Sequence, residues 1–275
     1  MTPKKTMLRA AVCSQEQIAD QIFSMWLQAD SIAAEARPGQ FVSVYSNDSG
    51  RLLPRPISIC ETDKEKGRIR LVYRIAGKGT AEFSGCQAGD CLDLLGPLGN
   101  GYPPDCCQAG RTAILIGGGI GIPPMVELAK QLEGKVIAVA GYRDELFLTD
   151  ELAQHGKLYV AVEDNDLCQK LQTVSDGNYC GTAVHGNVLD CIRENHLNAD
   201  VIFACGPTPM LRAIQTYAKE NHIECWLSLE QRMACGIGAC LACVCESAET
   251  DAHSQVKNKR ICKEGPVFAA EEVVL

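Results

Sequence analysis

The sequence predicts a multidomain protein of the α/β plus β class: an antiparallel β-barrel, then a parallel α/β domain, then a small cysteine-rich unit at the C-terminus. Three observations predict it. From residue 7 to about 104, short apolar runs are separated by Gly and Pro. After Gly110 the rhythm changes to apolar strands alternating with helical segments, and the last fifty residues gather cysteines on a polar background. The predicted bounds are 1–105, 111–225 and 226–275. A chain of 275 residues with 46% hydrophobic content is long and apolar enough for more than one core.

Taken in order, the runs Gln40 to Ser46, Arg68 to Ala76 and Cys91 to Leu95 read as strands, the last ending before Gly96-Pro-Leu-Gly-Asn-Gly101. Short strands with turn residues between them build a small antiparallel barrel. Pro103 to Gly110 reads as a linker. Thr112 to Ile116 is then a buried strand, Pro123 to Leu132 a helix and Lys135 to Ala140 the next strand. Lys157 to Val162 and Val201 to Ala204 continue the strands, and Pro207 to Glu220 the helices; such alternation predicts a parallel sheet covered by helices. The last unit is entered through Cys225-Trp-Leu-Ser-Leu229, and Ser247 to Arg260 reads as a polar surface loop.

Composition excludes several functions. The net charge of −8 and pI near 5.2, with dispersed Lys and Arg, argue against a nucleic-acid surface. No apolar run approaches the length of a membrane-spanning helix. The five His residues lack metal spacing, and neither H-E-x-x-H nor G-x-S-x-G occurs, so a hydrolase has no support. Sixteen cysteines would suggest disulfides in a secreted chain, but Gln15-Glu16-Gln17 interrupts the N-terminus before an apolar signal core forms. A reducing cytoplasm is expected. Cys13, Cys60, Cys86, Cys91, Cys106, Cys107, Cys168, Cys180, Cys191 and Cys225 show no ligand spacing and read mostly as small apolar fillers.

The remaining cysteines are patterned. Cys235-Gly-Ile-Gly-Ala-Cys240-Leu-Ala-Cys243, with Cys262 following, gives C-x4-C-x2-C and a distant fourth thiol, the spacing of plant-type ferredoxins. Four thiolates are what a [2Fe-2S] cluster requires. Zinc sites more often use two separate C-x2-C pairs. Gly236 and Gly238 would let the loop curl and turn its N–H groups toward sulfur. Cys245 competes for the fourth position; Cys262 is preferred because it arrives from a separate segment.

Arg55-Pro56-Ile57-Ser58 presents an Arg suited to bidentate diphosphate binding, a Pro that fixes the backbone, and a Ser expected on the same strand face as the Arg. Val72-Tyr73-Arg74 adds a Tyr to pack on an aromatic ring and a second Arg. Gly79-Thr80 adds amides and a hydroxyl for phosphate. Together these suit a flavin dinucleotide.

Gly117-Gly118-Gly119-Ile120-Gly121 follows a predicted strand and opens a predicted helix, where exposed amides favour a pyrophosphate. It departs from G-x-G-x-x-G, and a purely structural tight turn remains open. Cys205-Gly206-Pro207 ends a later strand at the same sheet edge, so Cys205 is placed beside a reacting nicotinamide or is a buried strand-end thiol. Ser58 and Cys205 are the candidate catalytic residues. NAD against NADP stays open, since Arg143 suits a 2′-phosphate that Asp144 and Glu145 would repel.

In that order the Arg-Pro-x-Ser barrel, Gly-rich turn, Cys-Gly-Pro and ferredoxin-like cysteines resemble the ferredoxin reductase superfamily. Within it, Leu53-Pro54-Arg55-Pro56-Ile57-Ser58, Tyr73-Arg74 with Gly77-Lys78-Gly79-Thr80, Gly96-Pro-Leu-Gly-Asn-Gly101, Met233 to Cys240 and Cys262-Lys-Glu-Gly-Pro-Val-Phe268 resemble the electron transfer subunits of NAD-dependent dihydroorotate dehydrogenases. The resemblance covers almost the whole chain. It implies FAD on the barrel, NAD on the α/β domain and a [2Fe-2S] cluster on Cys235, Cys240, Cys243 and Cys262. The implied partner is an FMN-containing catalytic subunit that oxidises dihydroorotate in UMP synthesis, joined in a heterotetramer of two subunits each. Electrons would pass from FMN through the cluster to FAD and leave as hydride to NAD. The competing expectations are a reductase subunit for sulfite reductase, hydrogenase or a ferredoxin:NADP couple, and a cluster-bearing redox sensor.

Overall fold

A computed structural model describes residues 5–173, 183–250 and 255–275. Six antiparallel strands close a barrel in the order β1-β2-β5-β4-β3-β6: β1 (Thr6–Ala19), β2 (Ile22–Gln28), β3 (Phe41–Val44), β4 (Arg55–Asp63), β5 (Arg68–Arg74) and β6 (Cys91–Leu98). Alternation sends Leu27, Ile59, Ile69, Leu71, Leu92 and Leu94 into the interior. Each fully buried side chain of this size contributes about 1.5–3 kcal/mol. Helix α1 (Asp30–Glu35) adds Ile32 and Ala33 to this core, and α2 (Lys78–Phe83) adds Phe83.

The second sheet runs β10-β9-β8-β7-β11-β12-β15, from β7 (Thr112–Gly118), β8 (Lys135–Tyr142), β9 (Lys157–Val162), β10 (Ala183–His185), β11 (Val201–Cys205), β12 (Glu224–Ser228) and β15 (Val267–Ala269). The strands from β7 to β12 pair in parallel. Their uninterrupted apolar runs follow from burial on both faces. The covering helices are α3 (Pro123–Gln131), α4 (Thr149–Ala153), α5 (Asn165–Thr173), α6 (Val188–Glu194) and α7 (Thr208–Glu220). In α7 the buried Leu211, Ile214 and Ala218 form one helical face. Helix α6 starts at Asn187, whose Oδ1 accepts the Leu189 and Asp190 N–H groups at 2.9 and 3.2 Å. The chain leaves β7 toward β8, β9 and β10, then returns to lay β11 on the other side of β7. That reversal makes the carboxyl ends of β7 and β11 a topological switch point, where open α/β sheets bind ligands.

Two compact units result. One comprises 1–101 and 231–267, the other 102–230 and 268–275. The unit expected at 226–275 is thus divided between the other two. Residues 231–267 join the barrel because Asn100 N–H donates to the Gly265 carbonyl at 2.6 Å and its side-chain amide to the Glu264 carbonyl at 2.9 Å. The last residues join the α/β unit through Gln215, which donates to the Ala270 and Val273 carbonyls at 2.6 and 2.8 Å. Within the expected polar loop, β13 (Val244–Glu246) and β14 (Asn258–Arg260) pair as an antiparallel ladder; residues 251–254 lie outside the described residues.

Candidate functional site

The cluster loop hangs on two glycines in the left-handed region, Gly236 at φ +67° and Gly238 at φ +86°. A Cβ on Gly236 would meet Ser43 Oγ at 2.8 Å, and one on Gly238 would meet the Lys263 side chain at 2.8 Å. The turn aims amides at sulfur: the Ala239 and Cys240 N–H groups donate to Cys235 Sγ at 3.3 and 3.4 Å. Burial alone raises the Cys235 thiol, but the N–H groups of Ile237, Cys240 and Ala239 and the Cys240 thiol outweigh it, bringing it to about 6. A sulfur held ready to ionise suits a metal ligand.

Cys243 and Cys262 form a second pair, with the Cys262 N–H donating to Cys243 Sγ at 3.4 Å and both side chains buried. Burial and the Cys243 sulfur push Cys262 up to about 12, and the charge of Cys235 reaches it too. Among the described residues no three His, Cys, Asp or Glu side chains converge on a single-ion site. The four thiols instead lie as two neighbouring pairs, Cys235 with Cys240 and Cys243 with Cys262. Cys245 sits in β13 opposite Lys259, and burial raises its thiol. No disulfide joins any of the fifteen described cysteines. Of the expected fillers, Cys60, Cys107, Cys168, Cys191 and Cys225 are buried and Cys13, Cys86, Cys91 and Cys106 half-buried; Cys180 lies outside the described residues.

On the barrel, Arg55-Pro56-Ile57-Ser58 opens β4. The ladder to β3 is regular here, pairing Arg55, Pro56, Ile57 and Ser58 with Val44, Ser43, Val42 and Phe41. Residues three apart in an unbroken strand point to opposite faces, so the expectation that Arg55 and Ser58 share a face is corrected. Ile57 and Ile59 pack on the core, which puts Pro56 and Ser58 outside. Val72 and Arg74 lie outside on β5 by the same alternation. Arg55, at the strand end, reaches α2: its guanidinium lies over Gly79, and it donates to the Leu53 carbonyl.

Two further expectations change. Tyr73 belongs to the barrel core, stacked on Phe23 with centroids 6.1 Å apart and donating from its hydroxyl to Gln15 Oε1 at 2.9 Å, so its ring does not present a face to a ligand. The Thr80 hydroxyl is spent locally: it accepts the Ala76 and Gly77 N–H groups at 2.9 and 3.2 Å and donates to the Gly77 carbonyl at 3.1 Å. Sequence reasoning missed Glu82. Its carboxylate accepts from Ser46 Oγ, the Asn47 N–H and Arg51, tying the loop before Arg55 to α2. No sequence signal pointed to it, because the helix that carries it is only 6 residues long.

At the switch point, Gly117 and Gly118 end β7, and Gly119–Gly121 form a single 3-10 turn before α3. A Cβ on Gly117 would meet Ile122 Cα at 2.8 Å, and one on Gly118 would meet Met210 Sδ at 2.6 Å. On Gly121 it would meet the Gly206 nitrogen at 2.7 Å. Packing explains these three. Gly119 alone has φ +53° and open space at the Cβ position, so it is where a ligand can approach the backbone. Cys205 ends β11 between Gly117 and Ser228; burial, partly offset by Ser228, pushes its thiol up to about 12. It stays protonated at neutral pH.

Comparison with known proteins matches two segments to family models. Residues 230–274 match the iron–sulfur cluster binding domain of dihydroorotate dehydrogenase B, and residues 9–102 match the oxidoreductase FAD-binding domain. Similar whole chains are electron transfer subunits of dihydroorotate dehydrogenase B (NAD(+)). That of Geobacillus thermodenitrificans is 41% identical over 97% of this chain and 98% of its own length. That of Bacillus mycoides is 39% identical over 100% of both. Among solved structures, an NADH-dependent reduced ferredoxin-NADP oxidoreductase superposes with TM-score 0.80 and 28% identity, covering 96% of this chain and 89% of the other. No described helix is long and apolar enough to cross a membrane.

Proposed function

From the premise that this chain belongs to the family of electron transfer subunits of dihydroorotate dehydrogenase B (NAD(+)), we propose how its residues divide that work. The chain is an oxidoreductase subunit of pyrimidine biosynthesis, with an FAD-binding and an iron–sulfur domain, and it serves a catalytic partner subunit. The functional division we assign is a flavin-binding barrel at 1–105, an NAD-binding domain at 111–225 and a cluster segment at 226–275. Cys235 and Cys240 hold one iron and Cys243 and Cys262 the other, of a [2Fe-2S] cluster. The pairing of these four thiols carries the reading.

Arg55 is placed to meet the flavin diphosphate over Gly79. Pro56, Ser58, Val72 and Arg74 line the outer face of β4 and β5, with Ile57 and Tyr73 bracing it from the core and Thr80 shaping the turn that begins α2. Gly119 admits a dinucleotide pyrophosphate at the switch point, where Gly117, Gly118 and Gly121 allow close packing. Cys205 and Ser228 border the nicotinamide, a neutral thiol and a hydroxyl keeping charge away from the transferred hydride. When bound, a cluster passes single electrons and a flavin converts them to the pair that nicotinamide accepts.

The partner is an FMN-containing subunit, in an assembly of two of each. The compartment we assign is the reducing cytoplasm, where thiolate ligands escape oxidation to disulfides. The deciding experiment measures FAD, iron and sulfide in the purified chain, then mixes it with a candidate FMN subunit, dihydroorotate and NAD. The proposal expects equimolar FAD, two irons and NADH formation. A chain holding FAD but no iron, or NADPH formed in preference to NADH, would overturn the corresponding assignment.

A further inference from the structure

Outside the thiols, one side chain ties the cluster loop to the rest of its unit. Arg260, at the end of β14, donates from Nη1 to the Gly238 carbonyl at 3.1 Å. The same guanidinium meets Glu264 as a fork, with Nε 3.1 and 3.0 Å from the two carboxylate oxygens and Nη2 on Oε1. The Arg260 N–H also donates to Glu264 Oε2 at 2.7 Å. Glu264 is anchored in turn, since its N–H donates to the Arg260 carbonyl at 2.8 Å and its own carbonyl accepts from Asn100 at 2.9 Å. A continuous path therefore runs from the end of β6 through Glu264 and Arg260 to Gly238.

Gly238 is the residue before Ala239 and Cys240, whose N–H groups point at Cys235 Sγ. Fixing its carbonyl fixes the peptide that presents those donors. A planar guanidinium is suited to this because it can hold a carboxylate with one edge and a carbonyl with another, which an ammonium cannot do at fixed geometry. The pair is only about one-third exposed on each side, at 30% and 32%, so its charges are partly shielded from solvent. Arg260 and Glu264 flank Cys262 at two positions on either side.

We propose that Arg260, held by Glu264, is a positioning residue for the iron–sulfur cluster: it fixes the 235–243 loop for retention, and the pair's balanced charge sets the ease of reduction. The proposal rests on the assignment of Cys235, Cys240, Cys243 and Cys262 as ligands. Removing the guanidinium takes this donor from the Gly238 carbonyl and leaves Glu264 with the Arg260 N–H but no countercharge from that side chain, so the loop loosens and a negative charge opposes the incoming electron. Removing the carboxylate leaves a positive charge that favours it. Outer contacts of this kind are worth roughly ten- to a hundredfold in metal retention.

The test uses the full chain with FAD and cluster bound. Wild type, Arg260→Gln, Glu264→Gln and the double variant are compared by visible absorbance, by the rate of iron release to bathophenanthroline under reducing conditions, and by a redox titration followed by electron paramagnetic resonance. Release should be at least about tenfold faster in Arg260→Gln and in the double variant. The midpoint potential should fall in Arg260→Gln, rise in Glu264→Gln and return toward wild type in the double variant, with FAD content unchanged. Shifts of the same sign in the two single variants, or release at the wild-type rate, would overturn the proposal. If Arg260→Gln yields no cluster at all, Glu264→Gln still decides it through the sign of its shift. A cluster that survives in Cys243→Ser would instead refute the ligand assignment beneath it.

Discussion

A Cβ placed on Gly79 would come within 2.7 Å of the Arg55 guanidinium carbon, so the two residues meet because position 79 has no side chain. Gly79→Ala should therefore displace Arg55 without removing it. Both Gly79→Ala and Arg55→Ala should weaken FAD binding roughly ten- to a hundredfold, the worth of a charge-assisted contact of about 1.5–3 kcal/mol. Flavin fluorescence titration of the apoprotein measures this, and wild-type affinity in Gly79→Ala would show that Arg55 does not touch the flavin from this position.

Single replacement of Cys235, Cys240, Cys243 or Cys262 by Ser should abolish the visible cluster absorbance and the bound iron. Cys245→Ser should spare both, because Cys245 faces Lys259 across the β13–β14 ladder. Loss of the cluster in Cys245→Ser with retention in Cys262→Ser would exchange their roles.

Cys240→Ser separates two activities. Hydride exchange needs only flavin and nicotinamide, whereas transfer from a distant flavin needs a carrier between them. The variant should keep oxidising NADH with a dye that accepts electrons directly from flavin, yet fail in dihydroorotate-dependent NAD reduction with the catalytic partner subunit. FAD content measured on the same preparation distinguishes this from a folding defect.

Gly119 and Gly121 should respond differently to alanine. Gly121→Ala drives a methyl into the backbone of Cys205 and Gly206 and should destabilise the α/β unit by several kcal/mol, read by thermal unfolding. Gly119→Ala meets open space and bears only the left-handed backbone cost of about 1–2 kcal/mol. It should keep the fold and lose affinity for NADH.

Glu82 predicts a pH dependence. Burial raises its carboxyl, but Ser46, the Asn47 N–H and Arg51 outweigh this and hold it below the usual range. A depressed folded value contributes stability that is fully present above the unfolded value of about 4.3 and is lost as pH falls through the lower folded one. Glu82→Gln should cost roughly 1–2 kcal/mol near neutrality and flatten the acid limb of the stability curve. Equal slopes for wild type and variant below pH 5 would discount the clamp.

The strands at 68–74, 91–98, 112–118, 135–142, 157–162 and 201–205 were legible because a Gly or Pro bounds each apolar run on at least one side, and the cysteine loop because ligand spacing leaves a fixed trace. The strand Thr6–Ala19 was hidden by its polar run from Ser14 to Gln17, in which Gln15 turns inward to bond Tyr73 and the Phe83 carbonyl. Gly77 to Thr80 looked like a turn, and the helix it begins is only 6 residues long, too short for a periodic signal. Tyr73 was misplaced because sequence gives no strand parity: its neighbours in the core, Leu71 and Ile69, were visible only once register was known. The Arg260–Glu264 fork joins residues in a stretch read simply as polar loop and ligand.

Because β15 lies beside β12 while residues 231–267 belong with the barrel, the chain passes between its two units three times. Neither unit is a contiguous stretch, so a single cut at residue 101 or 230 yields no complete half. A fragment of 102–230 would present β12 as a bare sheet edge, a template for pairing with other copies. Dissection for spectroscopy of one centre at a time is therefore better done by point substitution at its ligands than by severing the polypeptide.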